Sequence, residues 1–182
     1  MALMGFLGKF EATHGSREIR SDVYTIEVVI TGPIENGFVA GLDYVEPIKR
    51  LEQITDELNG AYLDDIVGRA TNENIAQFLM FNLYDLPISK IRVTESDITY
   101  VEMSSDEFDK HTYPAQLAFN KGHSYLLREK PEIAREHFTQ AIGMNGDFAE
   151  AYNLRGRCLK YRGDFRGALS DFQRAIEIKP DF

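Results

Sequence analysis

The feature that most constrains the fold of this chain is a repeat of 34 residues in its last part. When residues 115–148 are placed over residues 149–182, small and apolar residues coincide along the whole length. The coinciding pairs are Ala115 and Ala149, Gly122 and Gly156, Ala134 and Ala168, Phe138 and Phe172, Ala141 and Ala175, and Ile142 and Ile176. The apolar positions are three or four residues apart, which is the spacing of one helix face. The repeat therefore predicts two helical hairpins, one in each copy.

The turn inside the second copy carries signals that end one helix and begin the next. We expect Gly163 to stop the first helix and Asp164 to cap the second. A 34-residue period with an early glycine, Ala-x3-Phe in the second half and a closing proline resembles the tetratricopeptide (TPR) repeat family. The first copy departs from that pattern, because Ala118 stands where the large aromatic usually stands and Gly146 replaces the closing proline. The resemblance implies an all-α module that binds protein partners.

The number of repeats bears on how this module is stabilised. Repeat arrays usually need about three or more units, because each unit buries its apolar face only against a neighbour. Residues 115–148 and 149–182 make two. Three explanations for the small number of repeats stay open: the chain is cut short at Phe182, the repeats pack against the first part of the chain, or they pack against another copy.

The charge distribution places a boundary just before the repeats. Residues 1–111 hold 20 acidic and 9 basic side chains, a net charge of −11, whereas residues 112–182 hold 9 acidic and 11 basic side chains, a net charge of +2. We therefore expect one domain over 1–111 and a second over 112–182. An acidic first domain argues against a nucleic-acid partner there.

Three further properties of the composition predict a cytoplasmic protein. No run approaches the roughly 20 apolar residues that cross a bilayer, so we expect no membrane span. The apolar stretch over 1–10 carries its lysine, Lys9, behind the apolar part, whereas a signal peptide has its basic residues first. The single cysteine, Cys158, cannot form an internal disulfide, which suits a reducing compartment.

The first domain alternates between strand and helix patterns. β-Branched and alternating runs predict strands, and apolar residues three and four apart predict helices. In chain order we expect strands over 10–14, 23–30 and 38–44, helices over 48–58 and 72–86, and strands over 91–94 and 98–103. Asn36-Gly37 and Ser96-Asp97 are turn signals, Asn59-Gly60 ends the first helix, and Thr71 is a candidate cap for the second. The order βββααββ predicts an α+β fold, an antiparallel sheet with two helices, followed by the all-α repeats.

This order, with several short motifs, resembles the 6-pyruvoyltetrahydropterin synthase and 6-carboxytetrahydropterin synthase family, which has the tunnelling fold (T-fold). The resemblance covers roughly residues 8–104. The motifs are Phe-Glu-Ala-Thr-His over 10–14, Tyr-Thr-Ile-Glu-Val over 24–28, Gly-Phe-Val over 37–39, Thr-Asn-Glu-Asn-Ile-Ala over 71–76 and Val-Thr-Glu over 93–95. The resemblance implies a T-fold domain, and its open sheet edges imply a homo-oligomer.

The chemical positions of that family are largely lost. Family enzymes hold zinc with three histidines, and the matching positions here are His14, Arg20 and Asp22. Arginine keeps its proton and cannot ligate a metal. The family's catalytic cysteine would lie between His14 and Arg20, where there is none, and its Asp-His pair falls on Asn59-Gly60. We therefore expect no catalytic residue, no zinc and no other cofactor.

What the family comparison leaves is a set of candidate ligand-binding residues. Glu95 matches the carboxylate that anchors the pterin ring in family enzymes, and Thr94 and His14 are placed beside it. Each residue also has an interpretation without a ligand. Glu95 would then be a solvated turn residue, and His14 an interface histidine whose hydrogen bonds are made within the protein. Asp22 would be a strand residue that faces solvent.

In the repeats, the TPR resemblance implies a binding face on the first helix of each copy. The candidate partner-binding residues are Phe119, His123, Asn153, Arg157 and Lys160. Arg157 and Lys160 lie three residues apart, so both can reach one bound segment, and we expect an acidic peptide or a partner's carboxylate. The competing interpretation is that these cations only solvate their helix or offset the acidic first domain.

Three functions remain open at this point. The leading hypothesis is a non-catalytic adaptor that combines a degenerate synthase-like domain with a TPR interaction module. The alternative is a sensor that holds a pterin, a purine or a guanine nucleotide near Glu95 and signals through the repeats. The third is an enzyme with altered pterin or purine chemistry.

Overall fold

The structure, a computed structural model, describes residues 2–15, 20–32, 34–35, 38–39, 45–96 and 99–181. Its elements are, in chain order, β1 Ala2–His14, β2 Arg20–Gly32, β3 Ile34–Glu35, β4 Phe38–Val39, α1 Val45–Leu58, α2 Leu63–Ile66, α3 Asn72–Asn82, β5 Ile88–Glu95, β6 Thr99–Ser104, α4 Tyr113–Leu127, α5 Pro131–Met144, α6 Ala149–Tyr161 and α7 Phe165–Ile178. One compact unit holds the described residues up to 14, from 20 to 63 and from 70 to 110. The second holds residues 15, 64–69 and 111–181.

The first unit is built on an antiparallel sheet with the strand order β1-β2-β5-β6. On β2 the side chains of Tyr24, Ile26, Val28 and Ile30 are buried, as expected for alternate residues on one face of a strand. Helices α1 and α3 pack against this sheet. The opposite face carries charged side chains, with Arg92 bonded to Glu102 at 2.6 Å. The sheet and its helices confirm the predicted α+β class.

The first two strands are longer than the sequence pattern indicated. Each has 13 residues, and they pair from Ala2 with Gly32 to His14 with Arg20. The apolar N-terminal stretch is therefore strand, and the predicted start at Phe10 was wrong. The long partner strand supplies hydrogen bonds for this segment, which local pattern could not reveal.

The predicted third strand, over 38–44, is only partly within the described residues. Phe38–Val39 pairs with Ile34–Glu35 in a two-stranded sheet apart from the main one, and 40–44 lie outside the described residues. The turn signals at 36–37 and at Asp97 also lie outside them.

Both predicted helices of the first unit are present, but only α1 ends where expected, at Leu58; α3 ends at Asn82 and not at 86, because residues 83–85 form turns before the strand β5. Leu51, Ile54 and Leu58 of α1 are buried, and Gly60 just after it takes the left-handed φ of +72°. Thr71 caps α3, because its side chain accepts a hydrogen bond from the backbone N–H of Asn74 at 3.3 Å.

The second unit contains the two predicted helical hairpins, α4 with α5 and α6 with α7. Gly163 has φ +86°, and the Asp164 side chain accepts a hydrogen bond from the Gly167 backbone N–H at 2.9 Å. Both end signals predicted for the second copy are thus confirmed.

The two copies interlock through a small apolar cluster. Ala134 and Phe138 of α5 pack with Cys158 of α6, and Leu154 and Tyr125 border them. Burial raises the pKa of the Cys158 thiol to about 11, so the thiol stays neutral and acts as a packing group.

Candidate functional site

A cluster of polar side chains closes one end of the sheet in the first unit. His14 ends β1, Asp22 lies near the start of β2, and Glu95 ends β5, so the three residues belong to adjacent strands. Asp22 shares its strand face with the buried Tyr24, and Glu95 pairs in register with Tyr24. The cluster therefore sits at the rim of the face that the helices cover.

The distances show an internally bonded group, which we call the rim cluster: His14, Asp22 and Glu95. The His14 Nε2 atom lies 2.8 Å from Asp22 Oδ2 and 3.9 Å from Glu95 Oε1. Ser96 Oγ donates to Asp22 Oδ1 at 3.0 Å. The hydrogen bond with His14, together with that from Ser96 and the charges of His14 and Arg20, holds the pKa of the Asp22 carboxyl below its usual value against the effect of burial.

The exposure of the rim cluster leaves one carboxylate open to a ligand. The side chains of His14, Asp22 and Glu95 are 17%, 26% and 32% exposed. Glu95 is the most exposed and is not in hydrogen-bonding contact with His14. Its carboxylate can accept hydrogen bonds from an N–H-rich ligand.

The spacing of the ligand atoms in this cluster would allow a bound metal ion, whereas the charge beside the cluster disfavours one. One ligand atom from each of the three residues lies within 4.8 Å of the others, which a divalent cation could bridge. However, Arg20, a fixed positive charge, stands opposite His14 in the strand register and is close enough to lower the pKa of Asp22. One imidazole and two carboxylates beside a guanidinium do not fit a zinc centre of three imidazoles.

The structure separates two of the ligand-binding candidates. Thr94 and Glu95 are neighbours on β5, so their side chains point to opposite faces of the sheet. Thr94 pairs with Thr25 and Tyr100, on the face away from the helices, and only His14 and Glu95 come together.

Asp22 is the member of the rim cluster for which the sequence offered a solvent-facing position as one interpretation. The structure corrects this, because Asp22 faces His14 and Ser96. The sequence did contain a signal for this position. Asp22 precedes the buried Tyr24 by two residues on the strand, and therefore shares its face of the sheet.

The pair at the family's Asp-His position has a structural role in this chain. Asn59 accepts a hydrogen bond from the Glu11 backbone N–H at 3.2 Å, and the Gly60 N–H donates to the Glu11 carbonyl at 2.7 Å. These bonds tie the end of α1 to β1. Of the loop expected to hold the family's cysteine, residues 16–19 lie outside the described part of the chain.

In the second unit, the partner-binding candidates lie on two neighbouring helices. Phe119 and His123 are on α4, and Asn153, Arg157 and Lys160 are on α6, which contacts α4. We call these five residues the recognition surface. Arg157 and Lys160 are exposed, and within the described residues neither has an acidic partner. Glu150, the acidic residue one turn before Asn153, is bonded to Lys179 at 2.9 Å.

The two α4 residues of the recognition surface are less accessible than the cations. Phe119 packs on Phe138 and Phe148, with ring centroids 5.7 Å and 4.8 Å apart. The Phe119 ring therefore packs within the hairpins and is only partly exposed at the recognition surface. His123 is half-buried, and burial, together with the charges of Arg69 and Arg157, lowers the pKa of its imidazole.

The fold and the two sites define a two-part molecule, an α+β sheet domain with the rim cluster and a pair of helical hairpins with the exposed Arg157 and Lys160. Comparison with known proteins agrees for the second hairpin. Residues 149–182 match the tetratricopeptide repeat family, which confirms the second copy as a TPR. Within the described residues, no helix is long and apolar enough to cross a membrane.

Relatives by sequence include several TPR proteins. Hsp70-Hsp90 organizing protein 1 of Glycine max is 29% identical over 93 residues, 49% of this chain and 16% of that protein. The E3 ubiquitin-protein ligase TTC3 of Mus musculus is 27% identical over 166 residues, 90% of this chain and 8% of that protein. Tetratricopeptide repeat protein 36 of Homo sapiens is 44% identical over 45 residues, 25% of this chain and 24% of that protein. The chain thus spans a quarter or less of these relatives.

The first part of the chain is similar to a solved structure. The 6-pyruvoyl tetrahydropterin synthase of Caenorhabditis elegans aligns with a TM-score of 0.50 and 15% identity, covering 57% of this chain and 94% of the synthase. At this identity the likeness shows the fold alone, and it confirms the T-fold prediction.

Proposed function

We propose that this chain is a non-catalytic adaptor that binds an acidic segment of a protein partner at the recognition surface. The observation that carries the proposal is the pair of exposed cations, Arg157 and Lys160, which have no acidic partner within the described residues. Several other arginines of the second unit are paired, as Arg155 is with Asp171 at 2.8 Å, although the exposed Arg166 at the start of α7 has no acidic partner within the described residues either. An acidic segment would supply the missing counter-charges.

The geometry of α6 suits an extended acidic segment. Arg157 and Lys160 are three residues apart and therefore lie on one side of the helix. Asn153 lies one turn before Arg157 and offers an amide to an extended backbone. Guanidinium and ammonium groups form charge-assisted hydrogen bonds with carboxylates, which are stronger than neutral ones. The relatives support a role in protein assembly, since one of them is named as an organizing protein for Hsp70 and Hsp90.

The proposal is tested by capturing partners from a lysate of the source cells. The wild type and the double variant Arg157→Glu, Lys160→Glu are compared at equal loading, after circular dichroism confirms that both are folded. We expect specific partners with acidic segments to be lost from the variant and to be weakened by added salt. Identical partner sets would contradict the proposal.

The first unit is proposed to lack synthase activity and zinc. The basis is Arg20 beside the rim cluster and the structural use of Asn59-Gly60. We expect elemental analysis of protein purified without chelator to find no stoichiometric zinc, and we expect no turnover of dihydroneopterin triphosphate. Stoichiometric zinc or turnover would overturn the non-catalytic assignment.

The neutral, buried Cys158 is compatible with a cytoplasmic protein.

A second candidate function is a sensor that holds a small molecule at the rim cluster. The observation in its favour is the partly exposed Glu95 carboxylate, which matches a pterin anchor and would accept hydrogen bonds from a pterin, purine or guanine ring. Mass spectrometry of small molecules released by denaturing the purified protein distinguishes the two. A stoichiometric pterin or purine would favour the sensor, and its absence would favour the adaptor.

We also propose that the first unit assembles into a homo-oligomer. β1 and β6 are the edge strands of the sheet, and β1 is long and carries the 75% exposed Leu7. Within the described residues, the segment after α1 bonds the edge of β1 only at Glu11 and Thr13, and long edges with apolar side chains are normally paired or covered. Light scattering at micromolar concentration is expected to give a mass several times that of one chain. A monodisperse monomer would contradict this assembly.

A further inference from the structure

His123 is the one titratable member of the recognition surface whose charge can change near neutral pH. It lies one turn after Phe119 on α4, and the two rings stack with centroids 6.3 Å apart and planes 13° from parallel. The packing holds the imidazole in place, half-buried at the surface that α4 shares with α6. A proton taken up there would add a third positive charge to the recognition surface, near Arg157.

We propose that His123 takes up a proton when an acidic segment binds the recognition surface, so that affinity for the partner rises as the pH falls from about 8 to about 6. The inference rests on the proposed function and adds a regulation to it. In the free protein, the cations around His123 oppose a further positive charge. A bound carboxylate reverses that field and favours the imidazolium.

The charged surroundings of His123 come from separate segments. Arg69 acts on it from the segment after α2, and Arg157 acts on it from α6. Burial and these two charges all keep the free imidazole neutral. Arg69 and Arg157 both favour the neutral form of the ring. A bound acidic segment would supply a counter-charge.

The direction of the pH effect follows from this arrangement. A group whose pKa rises on binding strengthens binding as the pH falls through that pKa. Glutamate side chains, with an ordinary pKa of about 4.3, stay ionised between about pH 6 and 8, as do arginine and lysine. His123 is then the group of the recognition surface that changes charge in this range.

The experiment uses the full chain and a fluorescein-labelled hexaglutamate peptide as the probe. Affinity is measured by fluorescence anisotropy at pH 8 and pH 6 with constant ionic strength. We expect the wild type to bind about fivefold more tightly at pH 6, a gain of the size that one new charge pair gives at a solvated surface. His123→Gln should show almost no pH dependence, whereas His123→Lys should bind with equal affinity at both pH values.

The matched control is His137, which is also half-buried but lies on α5, stacked on Tyr125 with ring centroids 5.3 Å apart. His137→Gln is expected to keep the full pH dependence. If Arg157→Glu, Lys160→Glu binds the probe as tightly as the wild type does, the proposed function fails. If that variant loses the probe but His123→Gln keeps the wild-type pH dependence, the proposed function stands and this inference is overturned.

Discussion

Reversal of both cations on α6, Arg157→Glu with Lys160→Glu, is expected to lower the affinity for an acidic peptide by on the order of a hundredfold. Each cation is expected to contribute about tenfold through a charge-assisted hydrogen bond, and each introduced carboxylate also repels the peptide. Both side chains are exposed and unpaired within the described residues, so the exchange removes no intramolecular ion pair. Anisotropy titration with labelled hexaglutamate measures the loss.

The control for this variant changes the net charge equally at another place. Lys130 and Arg166 are exposed and lie at the starts of α5 and α7, where introduced carboxylates suit the helix dipole. Lys130→Glu with Arg166→Glu should lower the affinity only slightly, through long-range repulsion that salt screens. Equal losses in the two double variants would show that the net charge, and not the recognition surface, governs binding.

Gly156→Val is expected to destabilise the second unit by about 3 kcal/mol, the largest stability effect that we predict for a single substitution. A Cβ atom at Gly156 would lie 2.7 Å from the Phe172 ring and 3.2 Å from the Ala168 carbonyl oxygen. Both neighbours belong to α7, so α6 and α7 would have to separate. Thermal unfolding followed by circular dichroism at the helix band measures the change.

Gly143 in α5 provides the matched comparison for Gly156. A Cβ atom there would have no neighbour within 4 Å, and Gly143→Ala should stabilise the helix by about 0.5–1 kcal/mol through the helix propensity of alanine. If Gly156→Val unfolded at the wild-type temperature, the close contact between α6 and α7 would not determine the stability of this hairpin.

The repeats could be predicted well because their information is local. The 34-residue period aligns Gly122 with Gly156 and Phe138 with Phe172, and in the structure each glycine lies against the phenylalanine of its own copy. Helix ends are equally local, since Gly163 and Asp164 act within one turn of the chain. For the same reason Thr71 was identified as the cap of α3.

The sheet was harder to predict because its pairing is set by residues far apart in sequence. The segment from Ala2 to Lys9 has no clear alternation, and only its pairing with Thr25–Gly32 on β2 makes it a strand. The helix α2, Leu63–Ile66, is a single short turn that periodicity cannot detect. Fold class therefore followed from the sequence, whereas strand lengths did not.

The candidate sites show the same difference between what local sequence can predict and what depends on strand pairing. Arg157 and Lys160 could be placed on one face from their spacing alone, since both are on one helix. The rim cluster needs the register of three strands, which is why a solvent-facing Asp22 stayed open from the sequence and why Thr94 was grouped with Glu95. Side chains from different strands meet only once that register is known.

The most direct test of the adaptor proposal is to find where an acidic peptide lies on the protein. A carbodiimide joins a bound glutamate carboxylate to a neighbouring lysine amine without a spacer, and peptide mapping by mass spectrometry then identifies that lysine. Lys160 is the lysine of the recognition surface, so we predict that hexaglutamate couples chiefly to Lys160 and that high salt abolishes the product. Coupling that spares Lys160 and occurs at lysines of the first unit, such as Lys9 or Lys90, would contradict the proposal.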